Sequence, residues 1–561
     1  MWLRSVVLTA AVAALVALAP AGGNSAKAQA AGAGTLTIGI TQYPSTLHPQ
    51  IESMLAKSYV LAMTRRPLTT YDQDWQLICM LCVELPTLEN GLAEVVESDN
   101  GEKTMRVRME IHPQATWGDG TPVTVDDVIL AWEVGKHPKS GVAAGEQFRR
   151  ITDIERHDDK TFTLHVDRVT FDYNEIALGV LPAHIEREIF EAAPAEYRNR
   201  TAYDTDPTNP ALAFGPYRIV ELATGSHIIL EPNPTWYGQA PHFERIVVRV
   251  IENTAALEAN LLSGSIDMIS GELGLKIDQA LAFEERHGDG FDIIYKPSLT
   301  YEHIDLMLDN PILADRQVRR ALIYAIDRTA INERLFGGEQ PVAHANVSPL
   351  DVMHAEDVPK YVYDPEKAAA LLDEAGWDQM KRGVRHNAKG EPLRLSIMTT
   401  AGDRSREQVQ QVLQAMWKRV GVDVRIDNEP ARVLFGETIS KRKFDAMTMY
   451  AWLSAPQSVP RTTLHSDSIP TAENNWSGQN YTGFSDPRVD ELIDAIEREL
   501  DTEDRRKLWA ELQKIYAREL PVLPLYWRAT PFIVPKWLKG LRPTGHLAST
   551  TLWIEEWRRE P

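Results

Sequence analysis

Apolar and polar residues alternate with period two in Thr35-Leu36-Thr37-Ile38-Gly39-Ile40, and again through Met105–Ile111, Thr161–Val166 and Arg245–Ile251. That period places one side of an extended segment in a core, so each stretch predicts a strand. Helical spacing takes over later. Asp364-Pro365 supplies an N-cap with proline at the first helical position, Leu371, Leu372 and Ala375 share one face, and Gly376 is the stop. Val409, Val412, Leu413, Met416, Trp417 and Val420 recur at three and four, ending at Gly421. Short apolar runs flank this helix, Leu393–Ile397 before it and Val422–Ile426 after. The strand–helix–strand order predicts a parallel pair in an α/β domain. Val489, Leu492, Ile493, Ile496 and Leu500 predict another amphipathic helix, and Leu508, Leu512 and Ile515 the next. Earlier in the chain, Thr124-Val125-Asp126-Asp127 predicts a helix start with Val128 and Trp132 on its apolar face. The threonine caps free amides there, and the aspartates complement the helix dipole.

The first thirty residues have a different character. Arg4 precedes an apolar stretch from Val6 to Leu18, Pro20 ends it, and Ala28-Gln29-Ala30 has the small-x-small form of a cleavage site. This predicts a cleaved signal peptide over residues 1–30, preferred to an anchor helix because the run is short for a membrane span. The mature protein is expected free in an exported compartment, which the resemblance described below implies to be the periplasm. The 561 residues are ample for several domains, and 43% hydrophobic with 25% charged residues is ordinary globular composition. A net charge of −20 repels nucleic acid and anionic lipid, so neither is an expected partner. Cys79 and Cys82 are the two cysteines, too few for a disulfide scaffold or a four-cysteine zinc site. Their apolar setting favours a structural disulfide or two buried thiols over redox catalysis.

No catalytic constellation emerges. There is no G-x-S-x-G, no H-E-x-x-H, no G-x-x-x-x-G-K-[ST] and no G-x-G-x-x-G. The fifteen histidines lack metal-ligand spacing. His184 with Glu186 and His303 with Asp305 read as hydrogen-bonded polar pairs rather than metal sites. No cofactor, metal or catalytic residue is expected. A glycosidase-type carboxylate pair stays open, since acidic residues are abundant. Fourteen tryptophans and 17 tyrosines are the more telling feature. Several occupy polar, loop-like stretches, such as Trp452, Trp476 and Tyr481, and such rings suit the wall of a small-molecule cleft.

Longer segments resemble one family in order along the chain: the solute-binding proteins of peptide-type ABC importers, the group containing oligopeptide-, dipeptide- and nickel-binding proteins. The segments are Trp117–Val128, Phe214–Tyr217 with Asn233–Tyr237, Leu262–Asp267, Asp315–Arg328, and Tyr363–Ala368 continuing to Trp377. The resemblance implies an α/β, two-lobed periplasmic-binding-protein fold with an extra domain in one lobe and two hinge crossings. Lobe one combines residues 31–72, 206–297 and 530–561, the extra domain 73–205, and lobe two 298–529. The crossings fall near Ser298–His303 and Trp527–Ile533. The implied protein is no enzyme. It is a monomeric receptor that captures a peptide or peptide-like solute and presents it to an ABC permease. An opine, glycoside or metal chelate is the alternative ligand, and a secreted hydrolase the alternative class.

Family members that hold peptides carry a G-W-x-x-D-like stretch whose aspartate takes the ligand's ammonium. Here Ala451-Trp452-Leu453-Ser454-Ala455 keeps the tryptophan and has Ala455 in place of the aspartate. Without that carboxylate, N-acetylated peptides are expected to be tolerated, unless Asp403 or another carboxylate substitutes. The candidate ligand-binding residues are Tyr43 after the first strand, Tyr301 at a crossing, Asp403 and Arg404 at a helix start, Trp452, and Trp476.

Overall fold

The structure is a computed structural model. It describes residues 34–51, 54–97, 101–142, 145–175, 178–430, 433–474, 476 and 478–560. The expected signal peptide lies outside the described residues, and among those residues no helix is long and apolar enough to cross a membrane.

A ten-stranded sheet runs through the molecule. One half holds Thr35–Ile40, Tyr217–Ala223, His227–Pro232, Arg245–Val250 and Met268–Ile269, and the other holds Arg394–Met398, Asp423–Ile426 and Met447–Leu453. Between them lie two long antiparallel strands, Phe291–Leu306 and Val522–Pro535. The second long strand meets the first half at Ile269↔Ile533, and the first long strand meets the other half at Tyr301↔Trp452. The ladder between the long strands shifts register between Pro297↔Ala529 and Tyr301↔Trp527. Each half has its own buried core, so the ribbon of two strands is the continuous element between two separately packed bodies.

Local patterns fold as their chemistry dictates. Thr35–Ile40 pairs in parallel with Arg245–Val250, and Arg394–Met398 in parallel with Asp423–Ile426. The intervening helix, Arg404–Arg419, buries Val409, Leu413 and Trp417. Asp364 caps Pro365–Glu374 by accepting from the Lys367 amide at 2.9 Å, and Gly376 takes the left-handed φ of +82° that ends it.

A third core lies under a four-stranded antiparallel sheet, Ala93–Glu97, Lys103–Glu110, Thr161–Val166 and Ile151–Arg156, with the helix Val125–Lys136. The Trp117–Val128 segment is structural here. Trp117 is fully buried and donates Nε1–H to Asp127 Oδ2 at 3.1 Å. The same carboxylate accepts from the amides of Thr124 (2.8 Å) and Ala183 (2.7 Å). Gly118 is required by close approach, since a Cβ there would sit 2.5 Å from the Pro210 carbonyl oxygen.

Cys79 and Cys82 form a disulfide beside the small hairpin of Thr69–Tyr71 and Leu77–Cys79. Neither lines the cavities described below. Replacing both by serine is expected to cost roughly 2 kcal/mol of stability, the chain entropy of so short a loop, and to leave ligand affinity unchanged. Denaturant unfolding beside calorimetry checks this. A large affinity loss at unchanged stability is the contrary result.

Candidate functional site

Alternate residues of the two long strands face opposite sides, as extended backbone requires. Tyr301, His303, Asp305 and Trp527 line one cavity of about 290 Å³. Ser298, Thr300, Tyr526 and Arg528 line another of about 220 Å³. The two cavities share Leu453 at the end of its strand.

The larger cavity is aromatic on one side and polar on the other. Tyr301 stacks on Trp527 with centroids 4.9 Å apart, and its hydroxyl lies 3.2 Å from that of Tyr516. Trp452 sits opposite Tyr301 in the ladder, edge-on to Tyr450 at 5.5 Å and parallel to Tyr481 at 6.4 Å. Ser454, Ser458, Thr462 and Gln479 form much of the polar side, and Ala455 lies among them. Burial, reinforced by the nearby Asp305 carboxylate, raises the phenol pKa values of Tyr450 and Tyr516, so both stay protonated donors. Leu547 reaches this cavity from the other half and is exposed.

The smaller cavity lies between the halves and is charged. Glu302 is fully buried between two guanidiniums. Arg406 Nε reaches it at 2.7 Å, and Arg528 reaches it through Nη2 at 2.6 Å and Nε at 2.7 Å. Burial alone would raise the Glu302 pKa, but Arg528 and Arg406 outweigh it and hold the carboxyl below its usual range. Arg528 keeps a third of its side-chain surface open, and it lines the cavity. Across the gap, Lys276 pairs with Asp403 at 3.1 Å, joining the two halves. For Asp403, burial is likewise outweighed, by Lys276 and Arg406, and its pKa is lowered. A second contact between halves lies further out, where the Phe171 amide donates to the Glu497 carbonyl at 3.1 Å and Arg505 covers the Phe171 ring at 4.7 Å.

The six candidates separate in space. Tyr301 and Trp452 meet in the larger cavity, and Trp452 is on a strand, Met447–Leu453, rather than in a loop. Asp403 lines the smaller cavity, but as the cap of its own helix, accepting from the Arg406 amide at 3.3 Å, so that helix end is already occupied by an anion. Arg404 beside it is exposed and lines neither cavity. Tyr43 packs against the core of the first half, and Trp476 is 36% exposed with φ +59°; neither reaches these cavities. His184 pairs with Asp119 at 3.1 Å instead of Glu186, whose carboxylate accepts from the Ala202 amide. Sequence reading missed Trp527 and Tyr516 in the larger cavity and the Glu302–Arg406–Arg528 triad. The one local signal was charge inside an apolar run, Tyr301-Glu302-His303-Ile304-Asp305-Leu306, where a strand buried on both faces carries ionisable side chains.

Two α/β bodies joined by two strands, with aromatic and charged cavities at the junction, define a ligand-binding cleft of the two-lobed type. The family model for bacterial extracellular solute-binding proteins, family 5, matches residues 87–469, and the chain belongs to that family. It is 24% identical over 549 residues to the oligopeptide-binding protein AppA of Bacillus subtilis (strain 168), covering 95% of this chain and 94% of that one. The oligopeptide-binding protein of Thermus thermophilus, solved with a pentapeptide, superposes with a TM-score of 0.72 and 28% identity, covering 94% and 96% of the two chains. NikZ of Campylobacter jejuni, solved with Ni(L-His), shares the fold with a TM-score of 0.73, 22% identity and coverage of 94% and 100%.

Proposed function

We propose that this solute-binding protein captures a peptide or peptide-like solute between its two lobes in the periplasm and presents it to an ABC permease, as a monomer and without chemical conversion. The observation that carries the reading is the larger cavity, where Trp452, Tyr301 and Trp527 wall a polar floor at the junction of the lobes. Flat rings lend area with little entropy cost, and polar partners such as Ser454 and Gln479 suit the backbone of an extended peptide. The peptide complex of the Thermus thermophilus relative supports the same ligand class. Among the described residues no group of three or more His, Cys, Asp or Glu is gathered to hold a metal.

The lobe division is that given above, with the crossings at Ser298–His303 and Trp527–Ile533. The ladder shift between Pro297 and Tyr301 supports it, because fewer paired bonds there resist bending. A ligand touching both lobes stabilises the closed state by its differential affinity. A thermal-shift panel of short peptides, opines, glycosides and metal chelates tests the ligand class, with product analysis alongside. Stabilisation by peptides without product supports the proposal. Turnover lost on replacing a cleft carboxylate would identify a hydrolase. Small-angle scattering should show a smaller radius of gyration with a saturating peptide than without it, and an unchanged radius despite confirmed binding would refute closure.

A further inference from the structure

His303 and Asp305 project from the first long strand into the larger cavity, 1% and 4% exposed. His303 Nδ1 lies 3.0 Å from the Tyr301 carbonyl oxygen. A carbonyl only accepts, so Nδ1 carries a hydrogen. His303 Nε2 lies 3.3 Å from Asp305 Oδ1. Tyr450 donates to the other oxygen, Asp305 Oδ2, at 2.5 Å. Asn346 Oδ1 is buried without a hydrogen-bond donor, and Asn346 lines the same cavity. No Lys or Arg lines it among the described residues. Ala455, where the family's peptide binders have their aspartate, lies in this cavity too.

Resting on the peptide reading above, we propose that Asp305 is the anchor for a ligand ammonium group. An ammonium offers three N–H donors, and the cavity offers Asp305 Oδ1, His303 Nε2 and Asn346 Oδ1 as acceptors without a competing cation. The other titratable groups around His303 and Asp305 are the phenols of Tyr301, Tyr450, Tyr481 and Tyr516, all with raised pKa values. Glu302, on the opposite face of the strand, is committed to Arg406 and Arg528. Asp403 is tied to Lys276 and lines the other cavity, and Asp351, beside Ala455 in a small adjoining cavity, already accepts from the Met353 and Gln457 amides; Asp305 is the carboxylate that the larger cavity itself presents among the described residues. Selectivity for a free amine thus takes the place of the acetyl tolerance expected from Ala455 alone.

The test is calorimetry with pentapeptides bearing free amino termini and with their N-acetyl forms. Free-amine peptides are expected to bind at least about ten-fold more tightly. Asp305→Asn should lose about ten-fold or more for the free-amine forms and nothing for the acetylated ones. Its melting temperature establishes that the variant folds. Equal binding of the two peptide forms, or a preference surviving in folded Asp305→Asn, overturns the assignment and leaves the peptide reading standing. Failure of every peptide to bind, while a non-peptide solute does, overturns the peptide reading and this anchor with it.

Discussion

Replacing Glu302 by glutamine is expected to lower the unfolding free energy by about 3 kcal/mol, the lower end of the cost of breaking a buried ion pair. The carboxylate is fully buried, and its removal leaves two guanidiniums facing each other across a neutral amide. The lower end applies because Arg528 keeps a third of its surface hydrated. The effect has a pH signature. The folded pKa of Glu302 is depressed below the unfolded value of about 4.3. Its contribution is therefore fully present above that value and is lost as pH falls through the folded one. The gap in melting temperature between wild type and Glu302→Gln should be steady near neutrality and narrow only in acid. Calorimetric scans over a pH series measure it. A gap absent at neutral pH would show that the triad contributes specificity of packing and no net stability.

Trp452→Ala is expected to weaken peptide binding by about 1–3 kcal/mol, or roughly one to two powers of ten in Kd. The ring walls the larger cavity opposite Tyr301 and rests edge-on against Tyr450. Its loss removes contact area from the ligand and leaves Tyr450 less constrained. Trp476→Ala is the control, since that ring is exposed and lies outside both cavities. Titration calorimetry of the two variants with the same peptide should separate them. Equal losses would place the ligand elsewhere than beside Trp452.

Local order was readable because it is written locally. Period-two runs became the strands Thr35–Ile40 and Arg245–Val250, and a cap, an apolar face and a glycine marked out Pro365–Glu374. The ribbon was harder. Phe291–Leu306 is paired on both sides near its end and buried there on both faces, so the alternation that marks a half-exposed strand is missing. Trp452 read as loop because Ser454 and Pro456 follow it, yet its backbone is held by the ladder to Tyr301. Glu302 meets Arg406 and Arg528 across 104 and 226 residues, a distance over which spacing carries no signal. Family resemblance pointed to Trp452 and Ala455 through matched segments. It could not point to Asp305, which replaces nothing at its own position.

The odd–even division of the two long strands has an evolutionary consequence. Tyr301, His303, Asp305 and Trp527 face the larger cavity, whereas Ser298, Thr300, Tyr526 and Arg528 face the smaller, charged one. Selection for a new solute can therefore act on one set while the other, which ties the ribbon to the helix through Glu302 and Arg406, is left intact. On the closure proposed above, such a scaffold can diversify in cargo without relearning how to bend. For the same reason it offers a biosensor engineer two sets of positions, one for choosing what is sensed and one for setting how readily the proposed closure occurs.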